Sequence, residues 1–205
     1  MLLPALSKAL EKGKATACTG NIRQLGHGAN MYSGDYDGFF LPLGIPRGDG
    51  ATYDKWVDFL RPYIPSGTAD DVEYVSVKSA YVCPAAQIAA ATIKHTYVPY
   101  GFNRYGMSNG KNPSGTVSTG FAKRISNPPA STLLLVDNAS KASPGGYFIT
   151  YNDPNFSFFR HDKRANILYV DGHAAGASYY ELLVDTTIAT DKAPWCSNNR
   201  YDFSN

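Results

Sequence analysis

Two histidines and an aspartate stand close together late in the chain, His161, Asp171 and His173, and these residue types could form a proton-relaying dyad or a divalent-metal site. Their spacing argues against both. Residues Ala165 to Val170 and His173 to Ala177 flank Asp171-Gly172, a dipeptide suited to a two-residue type I′ turn, and make the strongest hairpin signal in the sequence. If the chain reverses at residues 162–164, His161 lies opposite Ala165 or Asn166, and Asp171 falls five residues farther along, about 16 Å away at 3.3 Å per residue. Hydrogen bonds reach about 3 Å and zinc–nitrogen bonds about 2 Å, so within this meander the three groups cannot share an ion or a proton, and only a bulge or a distant return of the chain would bring them together. His161 is expected to end a strand and to bond backbone or a neighbouring loop. Asp171 and Gly172 are expected to hold turn positions that tolerate and demand positive φ.

A second candidate is Asp35-x-Asp37-Gly38, which resembles the start of a calcium loop but lacks a third acidic ligand and the later bidentate Glu, so turn chemistry is the simpler reading and calcium the one cofactor the segment would admit. The spacing of Cys18, Cys83 and Cys196 resembles no zinc motif, and three cysteines leave one thiol over however they pair. No Gly-x-Ser-x-Gly elbow, phosphate loop or dinucleotide fingerprint is present. The sequence therefore names no catalytic residue, and the chain is expected not to be an enzyme.

The elements that must position these residues begin with a long helix. Leu3, Leu6 and Leu10, then Cys18, Ile22, Leu25, Ala29 and Tyr32, recur at steps of three or four, which places each group on a stripe of a helix from Met1 to a stop at Ser33-Gly34, about 50 Å long. Beyond Gly34 the signals change. A short helix fits residues 53–60, burying Trp56, Phe59 and Leu60, and strands fit 72–82, 97–102 and the fully apolar 133–136. Residues 105–119 read as a Gly, Ser and Asn-rich loop, and Ser178-x-x-Glu181 matches a capping box that would open a last helix through Leu183.

Composition sets the outer bounds. With 205 residues, 43% hydrophobic and 18% charged, the chain suits one globular domain, with residues 1–33 as the helix and 34–205 as a β-rich body. Nineteen basic against seventeen acidic residues give +2, too even for a nucleic-acid reader. Lys8, Lys12 and Lys14 gather on the solvent side of the opening helix, a solvated face that anionic lipid headgroups could also attract. No internal repeat, coiled-coil heptad run or low-complexity tail is evident.

Several segments also resemble a known family. Met1-Leu2-Leu3-Pro4-Ala5-Leu6, the Cys18 to Gly26 segment, Met31 to Gly38, Tyr81-Val82-Cys83-Pro84, Tyr100-Gly101-Phe102-Asn103, Leu133 to Asp137, and His161 followed after nine residues by Asp171-Gly172 are similar, in the same order, to type IV pilin-like and pseudopilin-like proteins with a prepilin-type N-terminus and a His-x9-Asp-Gly signature. The resemblance implies an α+β, pilin-like fold, a long N-terminal helix packed on an antiparallel sheet with loop-rich insertions. It implies a non-enzymatic structural subunit of a type IV pilus-like or type II secretion pseudopilus-like filament, exported through the inner membrane to the cell surface, with other pilin-like subunits as partners and Leu3, Leu6 and Leu10 in the assembly helix. The family's leader and apolar segment are not in this sequence, so the chain is expected to be the water-soluble remainder of a subunit anchored in the inner membrane by that segment. A disulfide between Cys18 and Cys83 is expected because both lie in segments that resemble the family. The competing reading is a surface binding module for carbohydrate, motivated by aromatic clusters at Tyr97, Tyr100, Phe102, Tyr105 and at Phe156, Phe158, Phe159.

Overall fold

The computed structural model describes residues 2–46, 53–68, 73–86, 88, 90–103, 132–138, 148–149 and 160–178. The fold is α+β. Helix α1 (Leu2–Asp35) leads into β1 (Gly44–Pro46), β2 (Tyr53–Lys55), α2 (Trp56–Leu60), β3 (Tyr74–Ser76), β4 (Thr92–Lys94), β5 (Tyr100–Asn103), β6 (Leu133–Asp137), β7 (Phe148–Ile149), β8 (Arg164–Tyr169) and β9 (Ala174–Ser178). Strands β1 with β2 and β3 with β4 form two small antiparallel ribbons. The main sheet runs β7-β5-β6-β8-β9, antiparallel except where β7 lies parallel to β5.

Helix α1 behaves as two segments. From Cys18 onward it buries Cys18, Ile22, Leu25, Ala29 and Tyr32, packing on β8, β9 and α2. Ahead of that, every described side chain from Leu3 to Gly13 is exposed, and Leu3, Leu6 and Leu10 are 82%, 68% and 60% exposed. A pattern that looks featureless in the sequence then emerges. Positions 3, 6, 10, 13, 17 and 20 advance by alternating threes and fours, hold Leu, Leu, Leu, Gly, Ala and Gly, and are all exposed. Small residues hide this 3.5-residue repeat, because Gly and Ala do not register as apolar.

The helix end differs from the expected Gly34 stop. It continues through Gly34, and the left-handed residues are Asp37, with φ 49°, and Gly38, with φ 79°. The Gly38 N–H closes the end by donating to the Ser33 carbonyl at 2.8 Å, the six-to-one bond of a Schellman motif. A glycine inside a helix costs only about 1 kcal/mol, so Gly34 does not by itself force a stop.

Three other boundaries shift for local reasons. Tyr53–Lys55 extends to pair with β1, and α2 starts only where the Lys55 N–H donates to Asp58 at 2.7 Å; Val57 is buried in the place expected for Phe59. The expected strand over 72–82 is confined to Tyr74–Ser76, after which the Ser79 hydroxyl and N–H both donate to the Ser76 carbonyl and curl the chain into turns. The segment 97–102 begins as a single 3-10 turn, His95–Tyr97, and extends as β5 only from Tyr100.

A large core lies between α1 and the sheet, where Trp56 stacks on Phe102 with ring centroids 6.4 Å apart. Strand β6 is buried throughout, and its alternation is broken by a bulge between Leu133 and Leu135. Leu134 and Leu135 both join the α1-side core, whereas Leu133 and Val136 join a second cluster with Ala165, Ile167 and Ala177. Because strand side chains alternate, Asp137 shares the face of Leu135, which meets α1, and the one extra residue is what puts both out of phase with Leu133.

The hairpin of β8 and β9 also corrects an expectation. Asp171-Gly172 does not form a two-residue type I′ turn. The Tyr169 N–H donates to the His173 carbonyl and the Gly172 N–H to the Tyr169 carbonyl, both at 2.9 Å, and only Gly172, at φ 89°, is left-handed. This is a three-residue loop with a glycine bulge. The two-residue turn lies instead at Asp162-Lys163, with φ 51° and 61°, where His161 and Arg164 exchange backbone hydrogen bonds at 3.1 and 3.0 Å. His161 therefore faces Arg164, not Ala165 or Asn166.

Candidate functional site

Four separate stretches of chain converge on one buried point. Cys18 arrives on α1, Cys83 after the turns that follow β3, Asp137 at the end of β6 and His161 at the tight turn before β8. One ligand atom from each lies within 4.8 Å of all the others, and all four residues are buried. The Cys83 sulfur is 3.4 Å from His161 Nε2. His161 Nε2 is 3.3 Å from Asp137 Oδ2, and Cys18 Sγ is 3.5 Å from Asp137 Oδ1.

Neighbours hold each group in place. The Asn166 N–H donates to Asp137 Oδ2 at 2.8 Å, and the Arg160 guanidinium approaches Asp137 Oδ1 at 3.8 Å while donating to the Asn138 carbonyl. The Tyr100 hydroxyl lies 3.2 Å from Cys18 Sγ. On α1, Asn21 donates to the Val82 carbonyl at 3.0 Å, fixing the backbone just ahead of Cys83. The cluster thus rests on the helix, both central strands of the sheet and their flanking turns.

The electrostatics divide the two sulfurs. The neighbouring Cys83 sulfur, with burial and the Asp137 charge, pushes the Cys18 thiol far above the usual thiol range. The proximity of Cys18, aided by the hydrogen bond with His161, draws Cys83 below that range against the opposing effect of burial. Burial works against a charged His161, but hydrogen bonds to Asp137 and Cys83 outweigh it and raise the imidazole above its ordinary value. Burial also pushes the Tyr100 phenol well up.

A Cys–His–Asp set suggests a nucleophilic relay, yet this geometry does not build one. A relay uses opposite ring nitrogens for the nucleophile and the carboxylate, whereas Cys83 and Asp137 both face His161 Nε2. Cys83 is 1% exposed and Cys18 0%, so both sulfurs lie within the packed interior. What the arrangement offers is a pair of sulfurs within 4.8 Å of each other, or a four-donor set for a metal ion.

The expected site residues distribute unevenly. Cys18 and Cys83 are brought together as free cysteines with no bond between their sulfurs, and each faces the carboxylate or the imidazole as well. Cys196 lies outside the described residues. The two ends of the His-x9-Asp-Gly signature part company: His161 enters the buried cluster in place of the expected backbone or loop contact, while Asp171 stays at the surface, 2.5 Å from His173 Nδ1 and accepting from the His173 N–H at 3.0 Å. Gly172 faces α1, since a Cβ there would stand 3.3 Å from Asn30 Nδ2.

Asp35 and Asp37, the calcium candidates, are engaged in architecture. The Tyr63 hydroxyl donates to Asp35 at 2.7 Å, and Asp37 closes the helix. Among the described residues, no third metal-binding side chain joins them. Tyr100 and Phe102 are fully buried and so offer no platform for a sugar ring, while Tyr97 is 37% exposed; Tyr105, Phe156, Phe158 and Phe159 lie outside the described residues, as does the expected helix after Ser178.

Asp137 is the member that sequence reasoning missed. It ends an apolar run that reads as a strand in the core, and only the bulge at Leu134 turns it toward α1. Its one available signal was a carboxylate directly abutting four buried aliphatic residues, which calls for a partner. Comparison with known protein families, with curated proteins and with solved structures gives no match to this chain.

Proposed function

We propose that the chain is a non-enzymatic structural subunit of a pilus-like or pseudopilus-like surface filament, in which α1 packs laterally among the helices of neighbouring copies. The observation that carries this reading is the exposure of Leu3, Leu6 and Leu10 on a helix whose later turns are docked. At about 100° per residue, these leucines sit a quarter turn away from the stripe that faces the sheet. They form a second apolar face and do not extend the first. The exposed Gly13, Ala17 and Gly20 continue that face, and a Cβ at Gly13 or Gly20 would meet nothing within 4 Å, so a second helix could approach closely. The 3.5-residue repeat suits helices wound around one another.

The sequence resemblance to pilin-like proteins supports the same reading and supplies its cellular side: export through the inner membrane, anchoring by an apolar segment ahead of this helix, and display of the β-rich body outward. Among the described residues no helix is long and apolar enough to cross a membrane. The test is photocrosslinking in producing cells, with the reactive residue placed at position 6 or 10 and, as controls, at the opposite-facing positions 8 and 12. Crosslinks to like subunits from 6 and 10 but not from 8 and 12 are expected. Equal labelling from both faces, or none from either, would refute lateral packing through this stripe.

A further inference from the structure

We propose that Cys18, Cys83, Asp137 and His161 form a tetrahedral binding site for a zinc-class divalent cation that fastens α1 to the sheet. Zinc bonds sulfur at about 2.3 Å, imidazole nitrogen at about 2.0–2.1 Å and carboxylate oxygen at about 2.0–2.2 Å. A regular tetrahedron with those bonds has donor–donor edges of about 3.3–3.5 Å for nitrogen to oxygen, about 3.5–3.7 Å for sulfur to either, and about 3.8 Å for sulfur to sulfur. Taken to a single carboxylate oxygen, the corresponding separations here are 3.3 Å for His161 Nε2 to Asp137 Oδ2, 3.4 Å for Cys83 to His161 Nε2 and 3.8 Å for Cys18 to Asp137 Oδ2. The remaining pairs fall inside the 4.8 Å limit that encloses the cluster. Four donors from four distant parts of the chain thus already stand close enough to meet at one ion, three of the six separations lying near the tetrahedral edges.

The donor chemistry selects the ion class. Two sulfurs with an imidazole favour zinc or cobalt(II) over calcium or magnesium, which take oxygen ligands. The surroundings are those of a held ion: the Asn166 N–H and the Arg160 guanidinium orient the carboxylate, and the Tyr100 hydroxyl sits against Cys18. On binding, both sulfurs coordinate as thiolates and His161 as the neutral ring, and whatever protons these three groups hold beforehand pass to solvent. Two thiolates and one carboxylate around a dication leave a net charge of −1, which faces Arg160. A Cys18–Cys83 disulfide, the other use of these sulfurs, would need neither the fully buried carboxylate nor the imidazole that converge on them.

The experiment is a cobalt(II) titration of the intact chain, reduced and free of chelator under anaerobic conditions. The expected result is one equivalent bound, with intense visible d–d bands of tetrahedral cobalt and near-ultraviolet thiolate-to-cobalt charge transfer, both bleached by one equivalent of zinc. Cys83→Ser and Asp137→Asn are expected to weaken binding at least tenfold, with Cys83→Ser also reducing the charge-transfer band by about half, and Cys196→Ser to leave the spectrum unchanged. Far-ultraviolet circular dichroism identifies any variant that does not fold, and the unmodified chain supplies the decisive reading by itself. A reduced, folded chain that gives no tetrahedral cobalt spectrum overturns the site, as does a spectrum abolished by Cys196→Ser. A chain that is isolated with a Cys18–Cys83 disulfide and stays spectroscopically silent with cobalt after reduction assigns the sulfurs to the disulfide and overturns the proposal too.

Discussion

Gly26 of α1 rides directly on Leu168 of β8: a Cβ at position 26 would stand 2.7 Å from Leu168 Cδ1 and 3.3 Å from Cδ2. Leu168 is fully buried, so its side chain would have to shift within packed surroundings to admit a methyl. This contact sets how closely the helix approaches the sheet, and with it the distance from Cys18 to Asp137. Gly26→Ala is therefore expected to destabilise the chain by about 1–2 kcal/mol, overpacking outweighing the better helix propensity of alanine. Gly13→Ala, where the new methyl meets nothing within 4 Å, should instead stabilise by about 0.5–1 kcal/mol. Urea unfolding of the two variants beside the unmodified chain measures both, and equal effects would refute the close approach.

The acid limb of stability should depend on Asp58. Burial alone would raise its carboxyl, but the hydrogen bond from His95, the Lys55 N–H and the charges of His95 and Arg61 hold it below the ordinary value of 3.8. His95 Nδ1 lies 2.9 Å and Arg61 Nε 3.2 Å from Asp58 Oδ1. A carboxyl depressed by folding contributes stability above its unfolded value, and that contribution disappears as pH falls through the lower, folded value. Stability should thus drop below about pH 4. Asp58→Asn is expected to cost about 1–3 kcal/mol at pH 7 by removing the ionised partner of a nearly buried histidine and arginine. It should also flatten the pH profile between pH 5 and 2, which thermal melts at stepped pH would show.

The turn that delivers His161 carries a backbone cost. Lys163 sits at φ 61° and Asp162 at φ 51°, left-handed positions that L-residues other than Asn, Asp and Gly occupy at about 1 kcal/mol or more. Lys163→Gly should raise stability by about 0.5–1 kcal/mol, because it relieves that strain while leaving the His161–Arg164 backbone pair intact. Lys163→Val should lower stability by a similar amount or more. Differential scanning calorimetry of the pair tests the sign, and a destabilising glycine would mean that the lysine side chain contributes more than the turn costs.

How far these features could be read in advance depended on the range of the forces behind them. The helix stripe from Cys18 to Tyr32, the buried strand at 133–136 and the β8–β9 hairpin are local periodicities, and they were legible. The type I′ turn was assigned to Asp171-Gly172 because Asp-Gly is the stronger local signal, yet Gly172 serves a bulge and the tighter turn uses Asp162-Lys163. The site was legible only in part. The sequence pairs Cys18 with Cys83 and leaves His161 apart from them, but their meeting with Asp137 depends on a one-residue bulge at Leu134, set by how β6 packs between two clusters and invisible to any pattern along the chain.

Leu3, Leu6 and Leu10 give the sharpest separation between folding and assembly. Because they are mostly exposed, replacing all three with glutamine removes almost no contact within the chain, and the change in unfolding free energy should stay within about 0.5 kcal/mol. Burying a leucine at an interface contributes about 1.5–3 kcal/mol, so the same replacement should strongly weaken association between helices. Sedimentation velocity over a hundredfold concentration range should show the unmodified chain shifting toward larger species and the triple variant remaining a monomer, with indistinguishable melting temperatures. A triple variant that melts earlier would mean these leucines belong to the fold, and an unmodified chain that stays monomeric throughout would count against packing through this face. Glutamine at Lys8 and Lys12, on the opposite side of the same turns, should leave both measurements unchanged, which separates an apolar contact from a general effect of altering the exposed end of α1.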